Sequence, residues 1–201
     1  GGTGYVKVAE ISGRAADDIR GELDTLRKAG ARRLVLDMRG AGFGAPADGV
    51  KVAELFLKGG VVSRLSGVKY PEEVLSADPA RSAWDLPMAA LVDVGTAGPG
   101  EVVAAALLDS GRGDVIGQRT FGRAGFQRTV ALPEGGLIVT VAKYASPKGT
   151  AIHGKGVEPS VVVELPDQGE DETDQAAAPA GDPVLDKAIE VLQQGAQKKA
   201  A

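Results

Sequence analysis

Two short apolar runs constrain the fold of this chain more than any other feature of its sequence. Residues 34–38 and 88–93 are almost continuously apolar, without the alternation of a half-buried strand. Each is followed by a loop of small residues and then by apolar residues at helical spacing, in 48–57 and 101–110. A strand buried on both faces has this appearance, and alternating strands and helices favour parallel pairing with right-handed crossovers. The sequence therefore predicts an α/β fold with a mostly parallel sheet and flanking helices.

Other segments extend this pattern. We predict further strands at residues 5–9, 61–65, 115–116, 127–132, 137–145 and 161–163, and a further helix at 14–28. Pro133-Glu134-Gly135-Gly136 is typical of a hairpin turn between two of these strands. Residues 70–84 are polar and show no clear period, so we predict an irregular surface segment there.

The end of the chain differs in composition from the rest. Residues 167–181 are acidic and rich in Ala, Gln and Pro, which predicts a flexible linker. Residues 182–201 form the predicted C-terminal helix and tail, with Asp182 as N-cap and Pro183 at the first helical position. The apolar residues of this helix form a stripe, which must pack against another apolar surface. The predicted organisation is therefore a core at 1–166, a linker and a final helix.

The composition excludes several classes of function. A formal net charge of −4 argues against a nucleic-acid partner. The chain has no cysteine and only one histidine, His153, so thiolate and multi-histidine metal sites are excluded, and a Ser-His-Asp triad would have to use His153. No apolar run approaches the roughly 20 residues of a transmembrane helix. We expect no metal and no cofactor.

Four segments in fixed order carry a resemblance to a known family. They are the turn Gly95-Thr96-Ala97-Gly98-Pro99-Gly100-Glu101, then Thr120-Phe121-Gly122-Arg123-Ala124-Gly125-Phe126-Gln127, Tyr144-Ala145-Ser146-Pro147-Lys148-Gly149 and Gly154-Lys155-Gly156-Val157-Glu158-Pro159. In this order the chain resembles the carboxy-terminal processing (tail-specific) serine proteases. The resemblance implies a crotonase-like (ClpP/crotonase) core. It covers nearly the whole chain, including the final helix.

The resemblance implies a Ser-Lys dyad, and neither member is present. The family's nucleophile stands three residues before the glutamate of the turn, which is Gly98 here, and its lysine follows Thr-Phe-Gly, which is Arg123 here. The separation, 123 − 98 = 25, is the one the family keeps, so no gap hides a serine. Glycine has no nucleophile, and a guanidinium stays protonated with a pKa above about 12. The predicted nucleophile and base positions are both degenerate.

The positions that shape the family's oxyanion hole depart as well. By the resemblance they are Phe43, Gly44 and Pro99, and Phe43 replaces a glycine. A bulky side chain disfavours a positive φ, so we expect the backbone donor there to point elsewhere.

Other family positions are retained, namely Glu101, Asp109, Thr120 and Gln127. We favour structural roles for the first two. Glu101 lies in the first turn of a helix, where the dipole favours a carboxylate, and Asp109 is placed to form a local ion pair with Arg112. Thr96, Ser146 and His153 are candidates for a relocated site, but none has a partner at the required spacing.

Three functions remain open on the sequence alone. The first is a peptidase-like domain without proteolysis, a pseudoprotease that binds polypeptide or serves as a scaffold. The second is an active serine endopeptidase with a relocated nucleophile. The third, a small-molecule binder, is disfavoured because only 4% of the residues are aromatic.

The resemblance also implies partners and a location. The expected partner is a polypeptide, engaged through its C-terminus, and a homo-oligomer stays open. Bacterial members imply a periplasmic or otherwise extracytoplasmic location. The start, Gly1-Gly2-Thr3-Gly4, is not a signal peptide, and we interpret it as an edge from which a targeting segment was removed. Family members usually carry a PDZ domain before the core, and nothing in this chain resembles one.

Overall fold

The core is built on a parallel sheet of five strands, as the apolar runs predict. The computed structural model describes residues 2–164 and 181–198. The sheet strands are β1 (Thr3–Lys7), β2 (Arg33–Asp37), β5 (Met88–Val92), β6 (Asp114–Gly117) and β9 (Val161–Val162), in the order β1-β2-β5-β6-β9. All four pairings are parallel. The predicted α/β class is confirmed.

Helices cover both faces of this sheet. They are α1 (Ala15–Lys28), α2 (Pro46–Glu54), α3 (Pro99–Asp109) and α4 (Pro183–Lys198). Successive side chains of a strand point to opposite faces. Leu34 and Leu36 of β2 therefore join the core with α1, α2 and α3, whereas Val35 joins a second apolar cluster with α4.

A second, antiparallel sheet completes the fold. Its strands are β3 (Val61–Gly67), β4 (Tyr70–Ser76), β7 (Gly125–Leu132) and β8 (Gly135–Ala145), in the order β4-β3-β8-β7. Leu132 pairs with Gly135, so Pro133 and Glu134 form the turn and the predicted hairpin is confirmed. β7 lies at the free edge of this sheet, and residues 127–138 are exposed on both faces of the hairpin.

The prediction of an irregular surface segment at 70–84 is wrong. Residues 70–76 form β4, which pairs with β3, and Pro79–Arg81 form a turn of 3₁₀ helix. Trp84 is fully buried, with its backbone N–H donated to Leu55 O at 2.9 Å. β4 is a mostly exposed edge strand held by backbone pairing, so its side chains are polar and carry no alternation to detect.

The final helix docks through apolar and ionic contacts. Val184, Ala188 and Leu192 are buried against the face of the sheet that carries Val35. Asp182 caps α4 by accepting the N–H of Leu185 at 3.0 Å, as predicted. The predicted linker lies almost entirely outside the described residues. Within the described parts, no helix is long and apolar enough to span a membrane.

Candidate active site

The turn between β5 and α3 is tied to the loop that follows β2. The Asp93 carboxylate accepts the N–H groups of Gly95 and Gly40, both at 2.9 Å. The Thr96 hydroxyl is fully buried and lies 2.9 Å from Met38 O and 3.1 Å from Asp93 Oδ1. These contacts hold both loops at the carboxyl ends of neighbouring parallel strands, where α/β proteins place their sites.

Gly98 is at the sharpest point of this turn. Its φ of 56° and ψ of −109° belong to a region that side chains rarely adopt. A Cβ built on Gly98 would nevertheless meet no atom closer than 3.7 Å. A strained strand-to-helix turn is also how α/β-hydrolases present a nucleophilic serine. The backbone therefore has the geometry and the space for a presented side chain, and no side chain is there.

Glu101 joins this turn to the loop that contains Arg123. Its carboxylate is fully buried and accepts four hydrogen bonds. The donors are Gly98 N at 2.9 Å, Thr120 Oγ1 at 2.6 Å, Gly122 N at 2.5 Å and Arg123 N at 2.7 Å. A carboxylate without a cation is tolerated in a protein interior when its oxygens are saturated by donors. Glu101 thus sets the distance between positions 98 and 123.

The prediction of an ion pair between Asp109 and Arg112 is wrong. Asp109 Oδ2 accepts the Ser146 hydroxyl at 2.5 Å and the N–H of Lys148 at 2.9 Å. The Arg112 guanidinium instead donates to three backbone carbonyls, those of Phe56, Trp84 and Leu86. These contacts lie at the far end of α3 from Gly98 and make Asp109 and Ser146 a structural pair.

An open cleft of about 730 Å³ lies beside Gly98. Of the residues predicted for the site, Phe43, Gly44, Gly98, Arg123 and Gln127 line it, and Pro99, Glu101, Asp109 and Thr120 do not. Ser12, Phe126, Tyr144 and His153 line it as well. Ser12, Phe126 and Tyr144 were not predicted as site residues. Phe126 and Tyr144 lie in the motif segments, but only the tertiary fold places them beside Ser12 on one wall.

Arg123 enters the cleft from the loop before β7. One of its guanidinium nitrogens, Nη2, donates to Gly42 O, and the group lies 5.7 Å from the centre of the Phe121 ring. Arg123 forms no ion pair with any residue that the structure describes. Within that part of the chain, its guanidinium also donates to no side-chain acceptor.

Of the predicted oxyanion-shaping positions, Phe43 and Gly44 have backbone N–H groups that meet no acceptor among the described residues, whereas the turn around Pro99 offers few free donors. Pro99 has no N–H, the N–H of Gly98 is taken by Glu101, and that of Gly100 donates to Ala97 O at 3.2 Å. Gly44 has a φ of 119°, and a Cβ there would come within 1.8 Å of Ile11 O, so only glycine fits. Phe43 avoids a positive φ, and its side chain is 70% exposed.

The candidates for a relocated nucleophile differ in access. Thr96 is buried and hydrogen-bonded, and the Ser146 hydroxyl is bonded to Asp109 outside the cleft. His153 lines the cleft, with its Nδ1 buried and unpartnered among the described residues. The Ser12 hydroxyl, also on the cleft wall, donates to Glu10 Oε1.

The parallel sheet, its flanking helices and the strand-to-helix turn at Gly98 define the α/β core found in a class of serine-type peptidases. The chain belongs to the peptidase family S41, which matches residues 2–163. It is 34% identical over 164 residues to a carboxyl-terminal-processing protease from Synechocystis, covering 81% of this chain and 38% of that protein. It is 37% identical over 159 residues to the chloroplastic C-terminal processing peptidase of Tetradesmus obliquus, covering 79% and 34%.

A solved structure agrees with these relatives. The photosystem II D1 C-terminal processing protease superposes with a TM-score of 0.75 at 36% identity, covering 81% of this chain and 42% of that one. The chain therefore spans less than half the length of each of these three relatives.

Proposed function

We propose that this chain binds polypeptide in the cleft beside Gly98 without hydrolysing it. The observation that carries the proposal is the pair Gly98 and Arg123, which line one cleft where the resemblance implies a serine and a lysine. Glycine offers nothing to attack a carbonyl carbon. The guanidinium of Arg123 keeps its proton near neutral pH and cannot take one from a nucleophile.

The amides around the turn support the same proposal. A tetrahedral oxyanion needs preorganised donors, each worth roughly 10²–10³ in rate. Pro99 supplies none, and the N–H groups of Gly98 and Gly100 already have acceptors. A serine alone at position 98 would therefore regain only part of the activity.

The cleft still suits a polypeptide. Phe43 and Phe126 provide apolar walls, while Gln127 and Tyr144 provide polar groups. Burial raises the pKa of Tyr144 to about 12, so its phenol remains protonated at neutral pH. Apolar walls with a few convergent polar groups are typical of binding sites.

Cleavage of casein tests the loss of hydrolysis. The native chain should release no fragments and should not be labelled by a fluorophosphonate probe. The Gly98→Ser, Arg123→Lys double variant should react with the probe, because the turn has room for a serine side chain. Labelling of the native chain would overturn the proposal.

An active endopeptidase with a relocated nucleophile is the second candidate. Ser12 and His153 line the same cleft, which is the observation that favours it. Casein cleavage that disappears in both Ser12→Ala and His153→Gln, and persists in Ser110→Ala, would establish it. Ser110 is a matched control because its hydroxyl lies at the other end of α3, bonded to Ala106 O.

We also propose an extracytoplasmic location, which rests on the resemblance to bacterial members. Fractionation of the source cells, with an antibody against the chain, tests it. Recovery of the protein together with cytosolic markers would contradict it.

A further inference from the structure

We propose that Arg123 and the free edge of β7 hold an extended polypeptide by its carboxyl end, antiparallel to β7. The inference rests on the proposed function, because the ligand must remain intact in the cleft. It adds the residue that binds the carboxyl end, the direction in which the ligand lies and the side chains that the site prefers.

The edge of β7 is continuous with the cleft. β7 pairs with β8 on one side only, and its first three residues, Gly125, Phe126 and Gln127, line the cleft. From Thr129 to Leu132 the strand is exposed and contains neither a charge nor a proline. The one charged residue of β7, Arg128, lies over the Tyr70 and Phe126 rings on a face of the sheet. Edge strands are usually protected by such residues. An edge with so little protection that leads into a cleft is a template for an added strand.

Arg123 selects the group at the end of that strand. Of the described residues that line the cleft, it alone carries a permanent charge, and no carboxylate lies among them. A guanidinium pairs with a carboxylate through two parallel N–H donors, and only one of its nitrogens is used by Gly42 O. The charge of the cleft therefore fits one anionic group, such as a free terminal carboxylate.

The position of Arg123 determines in which direction the ligand runs along β7. It lies two residues before the start of β7, so a carboxylate held there places the rest of the ligand along Gly125–Leu132. A chain that runs from Leu132 towards Gly125 is antiparallel to β7.

The exposed apolar side chains of the β7–β8 hairpin determine which ligand side chains are preferred. Val130 pairs with Leu137 and Arg128 with Val139, so Val130, Leu132, Leu137 and Val139 share one face of the hairpin. A ligand with apolar residues at alternate positions would extend this face through cross-strand contacts.

Fluorescence anisotropy with a labelled decapeptide of alternating valine and serine tests the inference. Changing its free carboxyl end to an amide should weaken binding about tenfold or more, the size of a charge-assisted hydrogen bond. The Arg123→Gln variant should bind both forms equally. Arg119→Gln, which removes an exposed arginine outside the cleft, should keep the preference.

Peptides methylated on backbone nitrogen separate strand addition from other modes of binding. In an added strand, every second N–H faces β7 and the others face solvent. Methylation of one alternate set should abolish binding, and methylation of the other set should leave it within about twofold. Equal effects of the two sets would overturn the added strand.

Each remaining outcome points to one proposal. Mass spectrometry that finds the peptide cleaved would overturn the proposed function. An intact peptide that binds without a carboxylate preference would overturn only this inference. Sedimentation that shows a dimer competing with the peptide would assign the β7 edge to a second copy of the chain and overturn the inference as well.

Discussion

Glu101 and Asp37 are both fully buried carboxylates, yet they are stabilised in opposite ways. Glu101 accepts three backbone N–H groups and one hydroxyl, with no cation among its hydrogen-bond donors. Asp37 accepts the Arg39 guanidinium at 2.6 Å and 2.9 Å and the Tyr5 hydroxyl at 2.6 Å. Arg39 also binds Asp182 at 2.7 Å.

The two carboxylates, stabilised in different ways, also join different parts of the fold. Glu101 joins two loops of the candidate site by fixing their backbones, so it controls geometry over short distances. The Asp37–Arg39–Asp182 network joins α4 to the carboxyl end of β2, between residues far apart in sequence. Saturation by neutral donors is independent of salt, whereas an ion pair is screened by it. Four predictions test this contrast, from the largest effect to the smallest.

Glu101→Ala should cause the largest loss of stability, about 4 kcal/mol, because it leaves four donors without an acceptor in a buried site. Urea unfolding at neutral pH measures the change. Glu22→Ala, on the exposed face of α1, is the control and should stay within about 0.5 kcal/mol of the native chain. A loss below about 1 kcal/mol would mean that the donors find water instead.

Arg39→Met should cost about 3 kcal/mol, because it leaves buried Asp37 without its cation. The effect should be smaller than that of Glu101→Ala, since Tyr5 and the backbone N–H of Arg39 still bind the Asp37 carboxylate. The loss should shrink in about 1 M NaCl, whereas that of Glu101→Ala should not. If salt changed the two losses of stability equally, the contrast between the ionic network of Asp37 and the neutral donors of Glu101 would be wrong.

Acidification should weaken the ionic network. Burial raises the pKa of Asp37, but hydrogen bonds from Arg39 and Tyr5 outweigh it and hold the pKa below its ordinary value of 3.8. The hydrogen bond from Arg39 also lowers the pKa of Asp182. For a depressed pKa, the stabilisation is complete above the unfolded value and is lost as the pH falls through the folded value.

Urea unfolding at several pH values between about 6 and about 2 measures this loss. The native chain should lose stability below the ordinary carboxyl range, and Arg39→Met should show a shallower slope there. Parallel slopes for the two proteins would show that other carboxylates carry the effect.

Tyr5→Phe should have the smallest effect, about 1 kcal/mol, from the loss of one hydrogen bond to Asp37. The Tyr5 ring is 44% exposed, so little packing is at stake. Tyr70→Phe is the matched control, because the Tyr70 hydroxyl makes only a long, exposed contact of 3.3 Å with Glu73. A larger loss in Tyr70→Phe than in Tyr5→Phe would contradict the role of Tyr5.

Much of the fold could be predicted because its signals are local. The apolar runs of β2 and β5, the turn at Pro133 and Glu134 and the cap at Asp182 each lie within a few residues. β4 was missed because an edge strand needs only backbone pairing and carries no apolar pattern. The partner of Asp109 was wrong because Ser146, 37 positions away, competes with nearby Arg112.

In the candidate site, too, some positions could be predicted from local sequence and others could not. Positions 98 and 123 were predicted from motif spacing, and their roles remain predictions. The predicted hairpin already pairs the strands that carry Phe126 and Tyr144. That these two residues and Ser12 form one cleft wall could not be predicted, since the segment of Ser12 meets them only when the second sheet packs beside the first.

The sequence by itself determined which groups are available: a glycine, a proline and an arginine at the positions where the resemblance implies a nucleophile, an amide donor and a base. Only the tertiary structure decided where these groups meet, and that Glu101 is the residue that joins them. The reason is physical. Chemical identity is a property of single residues, whereas a buried carboxylate is satisfied only by donors that the whole fold brings together.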